Sequence, residues 1–455
     1  MKQKILKTTI ALAMVIISSA AFATSVEVTT GQSAKYWVNS ARYASTDNSA
    51  DVAYYNPAGT AFIDKGIYFS LSSQTLYIPY DQTCAMPAAG FQESYSQDKP
   101  IISIPNFYLV DSLGKQGMGN MAIFFNAGII GGGGNLGWDG TAGAAALGFA
   151  TAANVNTMAG AASSLVKTDI DFDASAGMYQ IGAGAAYSLN NFVSFSGGVR
   201  YVIARKSISL DGRYSFANMN AALPASWTLD VDYETELAAD GYCFIFGADV
   251  KPLKDLNIGI KFETETGLRY KYDDKKNSAS DSVGDSIAPG VESKLAATDG
   301  TKTDANLPAI FAIGVEYNIT NDLMASASSV FYFMDKADMD GVEDFYNTGY
   351  DLTIGTTYKV MDDFKIGCSV NYTTTGAKDK YYKADDQLLT VSTNPPLDSV
   401  YISGGTTYNV TPDLDITGSI AWIHYLPEDV TTSGGFDVKY EKEAYFIALE
   451  AGYKI

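Results

Sequence analysis

Residues 256 to 272 carry the pattern that most narrows the choice of fold. Leu256, Ile258, Ile260, Phe262, Leu268, Tyr270 and Tyr272 share one parity, and Asn257, Lys261, Glu263, Glu265, Arg269 and Lys271 share the other. Successive side chains of an extended chain point to opposite faces, so this segment has one apolar and one polar side. Residues 192–206 alternate in the same way, with Val193, Phe195, Val199, Tyr201 and Ile203 opposite Arg200 and Lys206. The last segment places Tyr445, Ile447, Leu449, Ala451, Tyr453 and Ile455 on one side. A soluble sheet with one wet face also alternates. These runs, however, reach 10 to 18 residues, whereas globular strands cluster near about 5–6.

About fourteen such segments follow one another, near 66–78, 100–111, 117–130, 172–189, 191–215, 225–252, 255–273, 305–319, 321–335, 348–360, 362–376, 397–410, 412–426 and 440–455. Short polar turns such as Leu189-Asn190-Asn191, Met361-Asp362-Asp363 and Thr411-Pro412-Asp413 join many of them. Longer connections at 79–99, 131–171, 274–304, 377–396 and 427–439 fall between those turns. Short turns at one end and long loops at the other are the arrangement of an outer-membrane barrel, and an even strand count agrees with it. Aromatic residues gather near the segment ends (Tyr68, Tyr77, Tyr201, Tyr270, Tyr272, Tyr358, Tyr372, Tyr408 and Tyr425), as interfacial belts require. The expected fold is an all-β, membrane-spanning antiparallel barrel of about fourteen strands, residues 66–455.

The start of the chain agrees with export. Lys2, Lys4 and Lys7 precede an apolar run from Ala11 to Ile17, and Ala21-Phe22-Ala23 supplies small residues for cleavage. Residues 1–23 therefore read as a secretory signal peptide, too short in its apolar part to span a bilayer. The expected location is the outer membrane of a Gram-negative-type bacterium. Removing those residues takes away three lysines and no acid, moving the formal charge from −20 to −23. Nucleic acid is excluded as a partner by that charge. Cys84, Cys243 and Cys368 are odd in number and widely spaced, so they form no disulfide framework. His424 is the only histidine, and no G-x-S-x-G accompanies it, which argues against a metal site or a hydrolytic triad. No enzyme and no cofactor are expected.

Two long connections differ in composition. Residues 274–304 are rich in Asp, Ser, Lys and Gly and read as a solvated external loop. Residues 141–167 are Ala-rich with Leu147, Phe149, Val155, Met158, Leu165 and Val166 embedded, and read as short amphipathic helices. Such helices either cap the barrel mouth or present an apolar landing surface outside the membrane.

Ahead of the first strand lies A-Y-Y-N-P-A-G-T-A-F, residues 53–62. With the preceding A-R-Y-A-S-T-D-N-S-A-D-V it resembles the N-terminal hatch of the long-chain fatty acid transporter family, which also contains aromatic-hydrocarbon transporters. Asn306-Leu307-Pro308-Ala309 before I-F-A-I-G-V-E-Y, and residues 397–425, are similar to later segments of that family. The resemblance covers the mature chain. The chain departs from the family where F-F-N-A-G-I-I-G-G-G-G replaces a Pro-Phe-Gly segment, and in ending on Ile455 instead of Phe.

The resemblance implies a hatch at residues 24–65 that plugs the lumen. It also implies diffusive transport of a fatty acid, hydrocarbon or similar apolar molecule, with a sideways exit into the bilayer. Asn56, Pro57, Ala58 and Gly59 would form the gating turn, since Pro fixes φ and Asn bonds nearby backbone. Arg200, Lys206, Lys261 and Arg269 are the inward cations available to hold a carboxylate. Lys261 and Arg269 share a parity with Glu263 and Glu265, so lumen ion pairs compete with that role. Asn126, Gly128 and Gly131, in Ile123–Gly134, mark the candidate side opening, because a glycine run weakens a ladder. The expected partners are the hydrophobic ligand, outer-membrane lipid and the barrel insertion machinery, with the protein a monomer. The alternative reading is a general porin or adhesin, which would need no hatch.

Overall fold

The computed structural model describes residues 33–97, 99, 101–117 and 119–455; the expected signal peptide, 1–23, and the start of the expected hatch, 24–32, lie outside the described residues. All fourteen alternating segments are strands. The wall begins with β1 (Gly66–Tyr77), and a hairpin of β2 (Tyr80–Met86) and β3 (Phe91–Gln97) follows it. Next come β4 (Ile101–Gln116), β5 (Gly119–Trp138), β6 (Ser163–Ser188), β7 (Val193–Asn218) and β8 (Ser226–Leu253). Then β9 (Leu256–Glu263) with β10 (Arg269–Asp281), and β11 (Lys302–Asp304) with β12 (Ile310–Asn318), each make one interrupted staves of the wall. The circuit is completed by β13 (Leu323–Tyr332), β14 (Gly349–Met361), β15 (Phe364–Thr374), β16 (Ser399–Thr411), β17 (Leu414–Tyr425), the short β18 (Glu428–Thr431) and β19 (Asp437–Lys454). All pairings are antiparallel, and β1 pairs with both β4 and β19. Ile67 and Ile455 exchange backbone hydrogen bonds of 3.1 and 2.8 Å, so the end of the chain closes the barrel. Closure leaves no sheet edge in the membrane.

The outward parity of the strands is apolar. On β14, β17 and β19 it exposes Ile354, Ile420 and Ile447, among the most exposed apolar side chains of the chain. Tyr317, Tyr358, Tyr408 and Tyr453 stand outward beside the short turns, and Tyr77, Tyr445 and Trp422 toward the other end. These two belts bound the bilayer. Four tyrosines expected in the belts are instead buried inside the barrel: Tyr68, Tyr270, Tyr272 and Tyr425. For Tyr270 and Tyr272 the reason is a change of phase. Asn257, Lys261 and Glu263 point inward on odd numbers, and after the break at 264–268 it is Leu268, Tyr270 and Tyr272 that point inward, on even numbers. Counting parity straight through the interruption reverses inside and outside.

The long connections are more ordered than loops. Residues 79–99 hold the β2–β3 hairpin, which continues the sheet onto β19 through Lys442↔Tyr80. The stretch 131–171 is largely strand and helix: β5 runs on to Trp138, α3 spans Ala142–Ala159, and β6 begins at Ser163. This helix is not amphipathic. It is small and apolar around its circumference, with only Ala153, Thr157 and Ala159 exposed among its described side chains. Of three further helices, α4 (Ala288–Leu295) lies in 274–304, and α5 (Asp379–Tyr382) and α6 (Leu388–Thr393) lie in 377–396. Gly143 allows α3 to meet α6, because a Cβ there would lie 2.3 Å from the Leu389 Cα. Tyr80 Oη donates to Ser392 O at 2.6 Å and Gln82 Nε2 to the same oxygen at 3.1 Å, joining hairpin and helix into a lid. The Ala-rich stretch thus caps the mouth, with Ala153, Ala159 and Val166 among its exposed residues.

The N-terminal segment fills the lumen. It forms α1 (Ala34–Val38), α2 (Val52–Tyr55) and a 3-10 turn at Pro57–Phe62, and every residue of 33–45 and 49–61 is buried. Ser33 caps α1, its hydroxyl accepting from Tyr36 N at 2.9 Å. The wall makes room with glycines. A Cβ on Gly259 would lie 2.0 Å from Tyr43 O, and one on Gly355 2.1 Å from Asn39 Oδ1. Gly314 and Gly367 give similar room to Ala44 and Val38.

Candidate functional site

Asn56 holds the Pro57 turn in place. Its Nδ2 donates to Ser45 O at 3.0 Å and to Asp249 Oδ2 on β8 at 2.5 Å, while its Oδ1 accepts from Gly59 N at 3.3 Å. The same Asp249 oxygen accepts from Asn257 Nδ2 at 2.8 Å, which also donates to Ala44 O at 2.5 Å. Gly59 is required by close approach, since a Cβ would lie 2.5 Å from Asn56 Nδ2 and 2.7 Å from Ser45 O. Pro57 starts the 3-10 turn, and Ala58 O accepts from Ser194 Oγ at 2.7 Å. These four residues join the segment to β7, β8 and β9. Asp249 and Asn257 were missed from sequence, although both share the inward parity of their strands.

A second set of contacts ties the other end of the segment. Lys35 Nζ lies 2.9 Å from Asp415 and 3.8 Å from Glu450, and Arg42 Nη2 lies 2.7 Å from Asp51 and 3.2 Å from Asp47. Asp51 also accepts from Ser33 Oγ and Ser49 Oγ, at 2.9 and 2.7 Å. Below this network an open vestibule of about 600 Å³, lined by Lys35, Arg42, Glu316, Lys365 and Asp415, faces the short turns. Burial, and then the Asp51 charge, push the Tyr55 phenol well above its ordinary value, so it stays neutral beside Ser33.

Of the four candidate cations, two come together. Arg200 grips Glu263 with both terminal nitrogens, at 2.5 and 3.0 Å, and Lys261 Nζ lies 2.5 Å from the same carboxylate. Lys261 donates to Tyr54 O at 2.7 Å, and the Tyr54 ring lies 4.4 Å from Lys261 Nζ and 4.9 Å from the Arg200 guanidinium. The segment therefore rests directly on the charged group. Lys206 is buried in the lumen six residues farther along β7, with its ammonium 4.4 Å from the Tyr270 ring. Arg269 is not in the lumen. It stands outside and binds Asp304 through two nitrogens at 2.6 and 2.7 Å, because the phase change at 264–268 turns its side chain outward.

Beside Arg200 the wall is irregular. The β5–β6 pairing shifts between Ile129 and Gly131 and again between Gly131 and Gly134. Gly132 has φ +100°, and a Cβ there would lie 2.5 Å from Ala176 O. Gly128 faces inward, where a Cβ would lie 2.0 Å from Asn106 Oδ1. Asn126 is buried on the same inward face, and its Oδ1 has no hydrogen-bond partner. Neither polar end of the buried Gln180 has one, nor does Arg200 Nε. Gly182 pairs with Arg200 and Gln180 with Val202, so Gln180 and Arg200 are diagonal neighbours on the lumen face. Buried polar atoms are nearly always satisfied, and these unpartnered ones lie together on the lumen face, with Asn126 and Arg200 both opposite Gly182. A small cavity of about 30 Å³ adjoins them, lined by Tyr54, Ile130, Arg200, Val202, Leu307 and Met334 among others. Gln180 was also missed from sequence; its signal is a lone amide on the lumen face of an otherwise apolar and small-residue stretch.

A closed barrel of fourteen antiparallel strands, belted by aromatics and filled by its own N-terminus, is an outer-membrane protein by construction. The sequence profile of the family described as "Outer membrane protein transport protein (OMPP1/FadL/TodX)" matches residues 11–455, and the chain belongs to that family. Among solved structures it is similar to a FadL homologue of Pseudomonas aeruginosa, at 16% identity over 91% of this chain and 98% of that one, with a TM-score of 0.61. It is also similar to the P. putida toluene transporter TodX (12% identity, 90% and 96% covered, TM-score 0.55) and to the Ralstonia pickettii toluene transporter TbuX (13%, 90% and 95%, 0.51). At these identities the likeness is one of fold. No curated protein sequence matches the chain.

Proposed function

We propose that the protein carries hydrophobic compounds with one acidic head group, of the long-chain fatty acid kind, by diffusion and without catalysis. The observation that carries this reading is the cluster of unsatisfied lumen atoms at Arg200 Nε and Gln180, beside the apolar Ile130 and Val202. Arg200, Lys261 and Glu263 together keep one net positive charge, which suits one carboxylate. The tail prefers apolar walls by about 0.8 kcal/mol per methylene, which a water-filled pore would forfeit. A cavity of about 30 Å³ holds roughly one water, so the Tyr54–Asn56 stretch must shift for a ligand to lodge. The turn at Asn56 to Gly59 is then the gate, and the bulged β5 from Asn126 through Gly128 to Gly131 is the way out to the bilayer. The whole of residues 24–65 acts as the hatch.

A neutral ligand is the second reading. It is favoured by Glu263, which already occupies both terminal nitrogens of Arg200, and it is the kind of cargo named for TodX and TbuX. Uptake of labelled oleate and of labelled toluene into proteoliposomes separates the two. Arg200→Gln leaves Lys261 and Glu263 paired, so the barrel stays folded. It should lower oleate uptake about ten-fold, the worth of one charge-assisted contact, and leave toluene uptake alone. Equal oleate uptake by the variant refutes the head-group contact. Asn56→Ala, measured in the same assay, must change the rate if the turn gates.

A further inference from the structure

We propose a binding site for a phosphate-bearing lipid head group of the outer leaflet, on the outer wall where β6, β7, β8 and β10 lie side by side. The registers put Gly177 opposite Arg205, Arg205 opposite Ala238, and Ala238 opposite Lys271, in one row across four strands. Two long cations thus stand on either side of Ala238, with small residues between and beside them. Strands lie about 4.8 Å apart, so the two Cα positions are about 10 Å apart, a span that both side chains can close around a phosphate. The row lies in an open groove of about 570 Å³.

Its height on the wall selects the occupant. Directly below are the outward Tyr179, Tyr201 and Tyr242, and below those the apolar Val199, Phe244, Phe246 and Phe195 that face acyl chains. Aromatic belts sit at head-group depth, so cations one step beyond them meet lipid phosphates. The neighbouring carboxylates are already engaged. Asp240 accepts from Tyr201 Oη at 2.8 Å, and Lys275 lies 2.6 Å from Asp273 and 3.3 Å from Glu236. Among the described residues neither Arg205 nor Lys271 makes an ion pair. Arg205 Nη1 donates to Ala204 O at 2.8 Å and Ala239 O at 3.2 Å, which pins the guanidinium to the wall while the rest of its fork stays exposed. Arg213, farther out, provides the contrast: Asp230 takes its Nε and Nη2 at 2.6 and 3.1 Å.

Native mass spectrometry of the purified barrel, titrated with lipid A in detergent, tests this site. Wild type should hold one more lipid A than the Arg205→Ala/Lys271→Ala double variant, whose affinity at that site should fall about ten-fold or more, the loss of two charge-assisted contacts. Arg213→Ala should bind as wild type does. Inorganic phosphate at millimolar concentration should leave the bound lipid in place, because it lacks the acyl chains that lie along the aromatic belt. Equal retention by the double variant, or displacement by free phosphate alone, overturns the proposal. The heat-modifiable mobility of the folded barrel, read in the same samples, shows that each variant is folded.

Discussion

The wall has a regular side and an irregular side. From β13 to β14 the pairing runs from Leu323↔Tyr358 to Tyr332↔Gly349 without a shift. The β14–β15 and β16–β17 ladders shift only next to their turns, at Lys359/Met361 and Asn409/Thr411. Across the barrel, β5 shifts twice in six residues against β6, and β9–β10 breaks at 264–268 facing the break at 305–309. Thr266 and Leu307 bridge that second interruption through two backbone bonds of 3.0 Å, and Glu265 braces it by accepting from Asp338 N at 3.1 Å. The regular side spans the membrane with a repeating outer face. The irregular side surrounds the cavity, the Arg200–Glu263–Lys261 group and the unsatisfied amides. Departures from the ladder are therefore concentrated around the proposed ligand site, and stored strain tends to cluster at functional sites.

The sharpest way to break this contrast is to remove one charge from the irregular side. Glu263→Gln leaves Arg200 and Lys261 buried without a carboxylate and should cost about 3–5 kcal/mol. The matching change on the regular side, Asp351→Asn, alters the acceptor of Tyr332 Oη and Thr373 Oγ1, at 2.7 and 2.6 Å. It keeps one acceptor of the two and should cost about 1.5–3 kcal/mol, the range for a hydrogen bond to a charged group. Thermal unfolding of both variants in one detergent gives the comparison, and a larger loss for Asp351→Asn would reverse it. Next in size is Gly132→Val. A β-branched residue at φ +100° is strained by about 1–3 kcal/mol, and it would also press on the Ala176 carbonyl. If the bulge is the exit, uptake should fall more than stability does; a fall in stability alone would leave the bulge a structural kink.

How much of this was legible follows from which signals are local. The fourteen strands and their short turns could be read because period-2 alternation survives any context. Arg269 could not be placed, because its parity was counted through an interruption that only the tertiary bridge Thr266↔Leu307 creates. Lys261 was read beside Glu263, and that pair forms; Arg200 joins it from another strand, a distance in sequence that alternation does not encode. The Ala-rich stretch read as amphipathic because buried and exposed apolar side chains look alike until the lid that covers them is known. The wall glycines of β9, β12, β14 and β15 carry no signal in the alternation, because their meaning depends on Tyr43, Ala44, Asn39 and Val38 arriving from the N-terminus.

The smallest expected effect sharpens the contrast from the regular side. Gly418 in β17 lies on the outward parity, with Ile416 and Ile420, and the only atom near a Cβ there is Leu449 Cδ2 at 3.6 Å, an ordinary contact. Gly418→Ala should change stability by no more than about 0.5 kcal/mol, as surface substitutions free of strain do. Gly259→Ala, on β9, asks for a Cβ 2.0 Å from the Tyr43 carbonyl, and the N-terminal segment must move to admit it. Limited proteolysis from the periplasmic side reads that movement directly. Cleavage within residues 33–63 should rise for Gly259→Ala and stay at the wild-type level for Gly418→Ala. If both variants are cleaved alike, Gly259 is not a seat for the segment, and an inward glycine of β9 is as replaceable as an outward one of β17.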